Sequence, residues 1–283
     1  MVDKKIFWIA SYPKSGNTWM RAIISSLFFT SNGKFTFNYL GYIQSFDLDK
    51  RFKFVKKINK KEYKDLDKLE ILAKYWLESQ KNLEINIDFQ FLKTHHSCIK
   101  FNNFSFTTSI FSLGIIYLIR DPRDIALSYS KHLGQNLDRT IELMINKKTI
   151  TPYVGEKKYK LYLSSWDLHV NSWQHINVPT LVIRYEDLLT NTKNIIFELI
   201  NFFESNFKIK FKNIDNKVNN IIKTTHFDKF KNHEKKHGFA EASRHSNFFR
   251  KGKIGHWKNE LTQNQRITIE KTFQQTMKQF GYM

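Results

Sequence analysis

Apolar runs of two different periods divide the chain. Four short runs rich in β-branched and aromatic residues, Ile6 to Ala10, Phe89 to Leu92, Ile115 to Ile119 and Thr180 to Arg184, read as buried strands. Three of them lead into a helical pattern. These are Thr18 to Phe29 after the first, Arg123 to His132 after the third, and Asp187 to Phe203 after the fourth, where Leu188, Ile195, Ile196, Leu199, Ile200 and Phe203 form a stripe at helical spacing. Strands buried on both faces and alternating with helices predict an α/β fold, with a central parallel sheet flanked by helices. Ligands of such sheets bind at the carboxyl ends of the strands. Two longer excursions interrupt the alternation. Residues 40 to 88 carry the basic run Lys53 to Lys64 and a helix-like stretch from Leu69 to Leu83, and residues 134 to 162 read as a lid or helical insert. Near the end stand a loop dense in basic and aromatic residues, 241 to 258, and a helix, Thr262 to Phe280.

The 283 residues, 41% hydrophobic and 16% aromatic, suffice to bury about 75% of the surface exposed by the unfolded chain, and one domain spanning 1 to 283 is expected. With 4 Pro and 10 Gly, collagen-like and linker-rich architectures are excluded. Cys98 is the one cysteine, so no internal disulfide forms, which fits a reducing compartment. The net charge of +20 points toward nucleic acid. Its make-up points elsewhere: nine arginines against 37 lysines, amid much Asn, Ile and Phe, resemble a codon bias as much as selection for an anionic partner. The charge thus implies an anionic ligand or surface, and no specific nucleic acid. No apolar stretch approaches the roughly 20 residues of a membrane span. Lys4 and Lys5 precede an apolar run too short for a secretory segment, so a cytoplasmic protein is expected.

Candidate chemistry lies in four places. After the first strand comes Tyr12-Pro13-Lys14-Ser15-Gly16-Asn17-Thr18-Trp19, a strand that breaks at Pro, passes Gly and enters a helix. That geometry presents unpaired backbone N–H groups and the positive end of a helix dipole to a phosphate. The lysine precedes the glycine, so the motif is not a Walker A loop. The second strand ends Lys93-Thr94-His95-His96, and strand alternation puts Lys93 and His95 on one side, Thr94 and His96 on the other. A lysine beside a histidine suits a general base next to a charge-stabilising cation, whereas a histidine pair at a strand end is more often a polar edge. The third strand runs into Arg120-Asp121-Pro122-Arg123-Asp124 and on to Ser128. Arg120 is placed to meet a phosphate bidentately, with Ser128 as a further hydroxyl donor. As plain structure, Arg120 with Asp121 would lock the loop and Arg123 with Asp124 would form a solvated pair. Last comes Phe249-Arg250-Lys251-Gly252-Lys253-Ile254-Gly255-His256-Trp257, where glycines let backbone and cations approach one anion, or where aromatics and cations interleave for RNA.

Together, in this order and spacing, the four segments resemble the sulfotransferases that use 3′-phosphoadenosine 5′-phosphosulfate, especially the soluble cytosolic branch. The resemblance implies a P-loop-like sheet and a role for each matching position. Lys14 would reach the sulfuryl group, with Ser15, Gly16, Asn17 and Thr18 cradling the 5′-phosphate and Trp19 stacking on adenine. Arg120, Ser128, Arg250, Lys251 and Gly252 would hold the 3′-phosphate. Tyr185, Thr225 and Phe227 resemble the family's adenine contacts, and Trp166 and Trp173 match a Ser-Trp repeat expected to be structural. His95 would be the base, assisted by Lys14 and Lys93, with 3′,5′-adenosine bisphosphate as the product. No metal is required, and no carboxylate cluster suggests one.

This chain departs from the family in three places. His256 stands where the family often has Asp, Gln263 and Ile267 depart from its dimerisation motif, and His96-Ser97-Cys98 replaces a proline-rich stretch. No oligomeric state follows, and the acceptor, a small molecule or a glycan, is not specified. Its pocket is expected from residues 40 to 88 and 134 to 162, with aromatics such as Phe37, Tyr39 and Tyr153. The rival functions are a P-loop kinase-like nucleotide enzyme, which lacks a Gly-Lys-Thr element here, and a basic nucleic-acid-binding protein.

Overall fold

The computed structural model describes residues 5–83, 88–151, 159–250 and 252–283. Among the described residues seven strands form: β1 (Ile6–Ser11), β2 (Gln44–Ser45), β3 (Gln90–Thr94), β4 (Lys100–Phe101), β5 (Phe104–Ser105), β6 (Ser112–Ile119) and β7 (Thr180–Arg184). Five make one sheet in the order β2-β3-β1-β6-β7, and β4 and β5 pair as a separate antiparallel hairpin. β1 runs parallel to β3 from Ile6 opposite Gln90 to Ala10 opposite Thr94, and β2 runs parallel to β3 at Leu92 and Lys93. All six residues of β1 are buried, as a strand covered on both faces requires. The fold is the expected α/β class, a central parallel sheet flanked by helices.

Helix boundaries show where periodicity alone falls short. The stretch expected as one helix over Leu69 to Leu83 is three short pieces, Leu69–Leu72, a 3-10 turn at Ala73–Tyr75, and Trp76–Lys81. The stretch after β7 breaks at Asn191 into Tyr185–Thr190 and Thr192–Phe207. The C-terminal helix breaks at Phe273. Apolar side chains keep helical spacing across each break, so the pattern cannot register it. The described part of the excursion at 134–162 includes the helix Leu137–Ile145, and residues 152–158 lie outside those described.

The chain divides into two compact units, each built from three segments. One comprises Met1–Tyr12, Ile43–Tyr117 and Ile145–Thr180, and in its core the rings of Trp8, Phe46, Phe106 and Trp173 meet edge-on or tilted. The other comprises Pro13–Tyr42, Leu118–Met144 and Leu181–Met283, and its core sets Phe28 edge-on to Phe203 and Phe35 against Phe230. Among the described residues, no helix is long and apolar enough to cross a membrane.

Candidate active site

The turn after β1 belongs to the second unit. Lys14 takes φ 68° and Gly16 φ 95°, both left-handed. Gly16 is also sterically required, because a Cβ there would lie 2.7 Å from the Tyr185 ring. The first helix, Asn17–Phe29, starts with no side-chain cap and no acidic residue of its own in the first turn, the end of a helix that favours an anion. Ser15 is fully buried, and its hydroxyl has no partner among the described residues. Burying an unpaired hydroxyl costs about 1–3 kcal/mol, which fits a turn that receives an oxygen-rich anion. Trp19, 8% exposed, meets Tyr185 edge-on at 6.3 Å with its indole N–H also unpartnered among the described residues. The Thr18 hydroxyl donates to Glu241 at 3.1 Å, and Glu241 also pairs with Arg21.

Arg120 stands at the end of β6, before the helix Pro122–Leu133. That helix begins where it does because the Asp121 side chain caps it and proline occupies its first position. Arg120 donates to the Lys14 carbonyl at 3.0 Å and to the Lys253 carbonyl at 3.3 Å, and its guanidinium lies 4.3 Å from the centre of the Tyr185 ring. Its Nε–H is buried without a partner among the described residues. The Lys14 ammonium lies 4.0 Å from the centre of the Phe248 ring. The structure thus gathers Lys14, Gly16, Trp19, Arg120 and Tyr185 with Phe248 and Lys253 of the C-terminal loop. On that loop Gly252 has φ 58°, and a Cβ there would sit 2.6 Å from the Phe227 ring. Ser128 and Arg250 are half-buried, and Lys251 lies outside the described residues. Thr225 is buried with its hydroxyl donating to the Ile221 carbonyl at 2.8 Å.

One expected alternative is corrected here. Arg123 and Asp124 are not a solvated pair, since both are buried and each has other partners. Arg123 pairs with Asp121 at 2.7 Å and Glu270 at 2.5 Å and lies against Trp257, 3.7 Å from the ring centre. Burial, outweighing Arg123, pushes the Asp121 carboxyl above its usual range. The Asp124 carboxylate accepts from the backbone N–H groups of Gly255 at 2.7 Å and Trp257 at 3.1 Å, so it pins the C-terminal loop. Of the aromatics expected near an acceptor pocket, Phe37 stacks on His233 and Tyr39 contacts Tyr42, while Tyr153 lies outside the described residues.

The histidines belong to the first unit. Lys93 is buried in β3 opposite Ile9, and the strand ends at Thr94. His95, half-buried, places Nδ1 2.7 Å from the Ser11 carbonyl and 3.2 Å from the Ser11 hydroxyl. A carbonyl only accepts, so Nδ1 carries the hydrogen and Nε2 is the basic nitrogen. His96 turns inward: Nδ1 accepts from the Tyr162 N–H at 3.1 Å, and the ring stacks on Phe106 at 4.6 Å. Burial, with a smaller contribution from His169, drives its imidazole down to about 3, so it is a neutral core residue. His169, in the helix Trp166–Ser172, was not among the sequence candidates. It is fully buried and held down at about 4 by burial, with Nε2 3.0 Å from the His95 carbonyl and Nδ1 2.8 Å from the Tyr117 hydroxyl. Trp166 and Trp173 are both fully buried. Among the described residues, no group of three His, Cys, Asp or Glu side chains could hold a metal ion.

Comparison with known proteins bears on the family and the fold. The chain is 27% identical to sulfotransferase 1E1 of Bos taurus over 282 residues, covering 95% of this chain and 82% of that protein. It is 23% identical to amine sulfotransferase of Oryctolagus cuniculus over 295 residues, covering 98% and 82%. The crystal structure of retinol dehydratase in complex with androsterone and the inactive cofactor PAP superposes with a TM-score of 0.63 at 20% identity, covering 96% of this chain and 80% of that one, a likeness of fold. The family model of the Sulfotransferase domain matches residues 4–281, nearly the whole chain, and the protein therefore belongs to the sulfotransferase family.

Proposed function

We propose that this sulfotransferase takes a sulfuryl group from 3′-phosphoadenosine 5′-phosphosulfate and passes it to a hydroxyl or amine of a small-molecule or glycan acceptor. The observation that carries the reading is the turn at Lys14 to Trp19: an uncapped helix start, a buried unpartnered serine hydroxyl, and Arg120 folded onto the same backbone. The donor supplies the sulfuryl group and a phosphate leaving group. Lys14, Ser15, Gly16, Asn17 and Thr18 hold its 5′ end, Trp19, Tyr185, Thr225 and Phe227 its adenine, and Arg120, Ser128, Arg250, Lys251 and Gly252 its 3′-phosphate. Two Arg120 donors are committed to backbone carbonyls, and the remainder of its five are left for an anion.

His95 takes the acceptor's proton at Nε2 as the acceptor attacks sulfur in line. The Nδ1–H bond to the Ser11 carbonyl supports this role, because it leaves the lone pair on Nε2. Lys14 and Lys93 offset the charge that develops on the leaving phosphate oxygen. At an effective dielectric near 20, one cation at ~4 Å contributes on the order of 4 kcal/mol before desolvation.

The test is transfer of labelled sulfate from the donor to a panel of a phenol, a steroid alcohol, an aryl amine and an acidic polysaccharide. The panel takes in an amine because amine sulfotransferase is a relative, and a steroid because androsterone is bound in the solved neighbour. Labelled product from one class is the expected result. Phosphoryl transfer from ATP, with no sulfuryl transfer to any class, would count against the reading and favour the kinase-like rival.

A further inference from the structure

We propose that His169 and Tyr117 are positioning residues for His95, an inference that rests on His95 being the base. β3 pairs with β1 as far as Thr94 opposite Ala10, and His95 follows directly after the strand. Hydrogen bonds hold both its ring and its main chain. The ring donates through Nδ1 to the Ser11 carbonyl at 2.7 Å, and the main-chain carbonyl accepts from His169 Nε2–H at 3.0 Å.

The tautomer of His169 is itself dictated. A carbonyl can only accept, so Nε2 must carry the hydrogen, and Nδ1 must then accept from the Tyr117 hydroxyl at 2.8 Å. The Tyr117 oxygen in turn accepts from the backbone of Tyr12. One chain of donors therefore runs from the end of β1, through β6, to the first residue beyond β3, and both side chains in it are fully buried. Tyr12 packs edge-on against the His169 ring at 5.3 Å, closing its other side. The Tyr117–His169 bond is buried, where a lost partner leaves an unpaired polar group that is costly to keep, so removing Tyr117 or His169 frees the His95 carbonyl from its tie. The tie fixes the direction in which His95 presents Nε2, and geometry of that kind governs a proton transfer more than it governs binding.

The experiment uses the full chain with 15N-labelled histidine and compares His169→Leu, His169→Gln and Tyr117→Phe. NMR reports the His95 ring with no acceptor present, and turnover is measured with whichever of a phenol, a steroid alcohol or an aryl amine the parent sulfates. The parent should show His95 protonated at Nδ1 only. His169→Leu should lose that single tautomer and lower kcat by about 10- to 100-fold while the KM for the donor changes less than about threefold. His169→Gln retains an N–H at similar reach and should recover most of both, and Tyr117→Phe should fall between them. A folded His169→Leu protein with the parental His95 signal and parental kcat overturns the proposal. Should that variant fail to fold, a parental His95 signal in Tyr117→Phe overturns it equally. Retained turnover in His95→Ala would instead remove His95 as the base, and the NMR comparison would still decide whether His169 holds the ring.

Discussion

The two units hold their ionisable groups by opposite means. In the unit of Pro13–Tyr42, Leu118–Met144 and Leu181–Met283, cations lie on aromatic faces: Lys14 on Phe248, Arg120 on Tyr185 and Arg123 on Trp257, at 4.0, 4.3 and 3.7 Å. An aromatic face lets a cation shed water while staying charged. In the other unit the histidines His95, His96 and His169 are held by hydrogen bonds to backbone and side-chain groups, and burial drives two of them down to about 3 and about 4. A buried imidazole stays neutral and offers one donor and one acceptor in fixed directions. The first arrangement suits the attraction of an anion, and the second suits the aiming of a proton acceptor.

The largest effect that would break this contrast is on turnover. His95→Ala should lower kcat by roughly 10² to 10⁴, the range for a lost general base, with donor KM little changed. Steady-state rates check it, and a variant that keeps parental kcat removes the base from the histidine unit.

Acid should find the same unit. His96 and His169 titrate near 3 and 4 in the folded protein against 6.5 when unfolded, so the unfolded chain binds more protons between those values. The contribution of these two histidines should be flat above pH 6.5 and fall as pH drops below it, by about 3 kcal/mol for His169 alone by pH 4. Denaturant unfolding at pH 7, 5.5 and 4.5 measures the slope. In His169→Gln, as long as it folds, that slope should shrink; an unchanged slope would show that these imidazoles are not the buried neutral groups.

A third outcome sharpens the cation side. 3′,5′-Adenosine bisphosphate should raise the unfolding free energy by about 2.7 kcal/mol at a hundredfold excess over its Kd. AMP at the same concentration should do far less, because it fills one of two anion positions. Equal shifts in thermal unfolding would defeat a two-phosphate site. The smallest effect concerns the turn: Gly16→Ala forces a Cβ into Tyr185 at φ 95°, for about 1–3 kcal/mol of strain. Bisphosphate affinity should fall with it, and calorimetry that finds parental affinity would show the turn is not part of the site.

How much of this was legible in the sequence follows from how local each signal is. The segment from Tyr12 to Trp19 is a turn whose glycine, proline and helix start are consecutive, and Arg120 sits at a strand end marked by its own apolar run. Both could be read directly. Asp124 could not, because its partners Gly255 and Trp257 lie more than a hundred residues along the chain and a charged pair with Arg123 was the nearer explanation. His169 was hidden in the same way, inside a helix whose tryptophans read as packing. Alternation placed His96 opposite His95, but the strand stops at Thr94, and the inward turn of His96 is set by the Tyr162 N–H and the Phe106 ring. β2 is two residues long and carries no periodic signal. The ring partners of the aromatics Phe37 and Tyr39, His233 and Tyr42, were not legible from the sequence.

The proposed roles of His95 and Arg120 are tested most directly by calorimetric titration of 3′,5′-adenosine bisphosphate into the parent protein, His95→Ala and Arg120→Ala. The parent and His95→Ala should bind with the same Kd, and Arg120→Ala should lose the preference for the bisphosphate over AMP. If His95→Ala weakens bisphosphate binding as much as Arg120→Ala does, or if Arg120→Ala binds like the parent, the separation of an anion-holding unit from a proton-accepting one is contradicted.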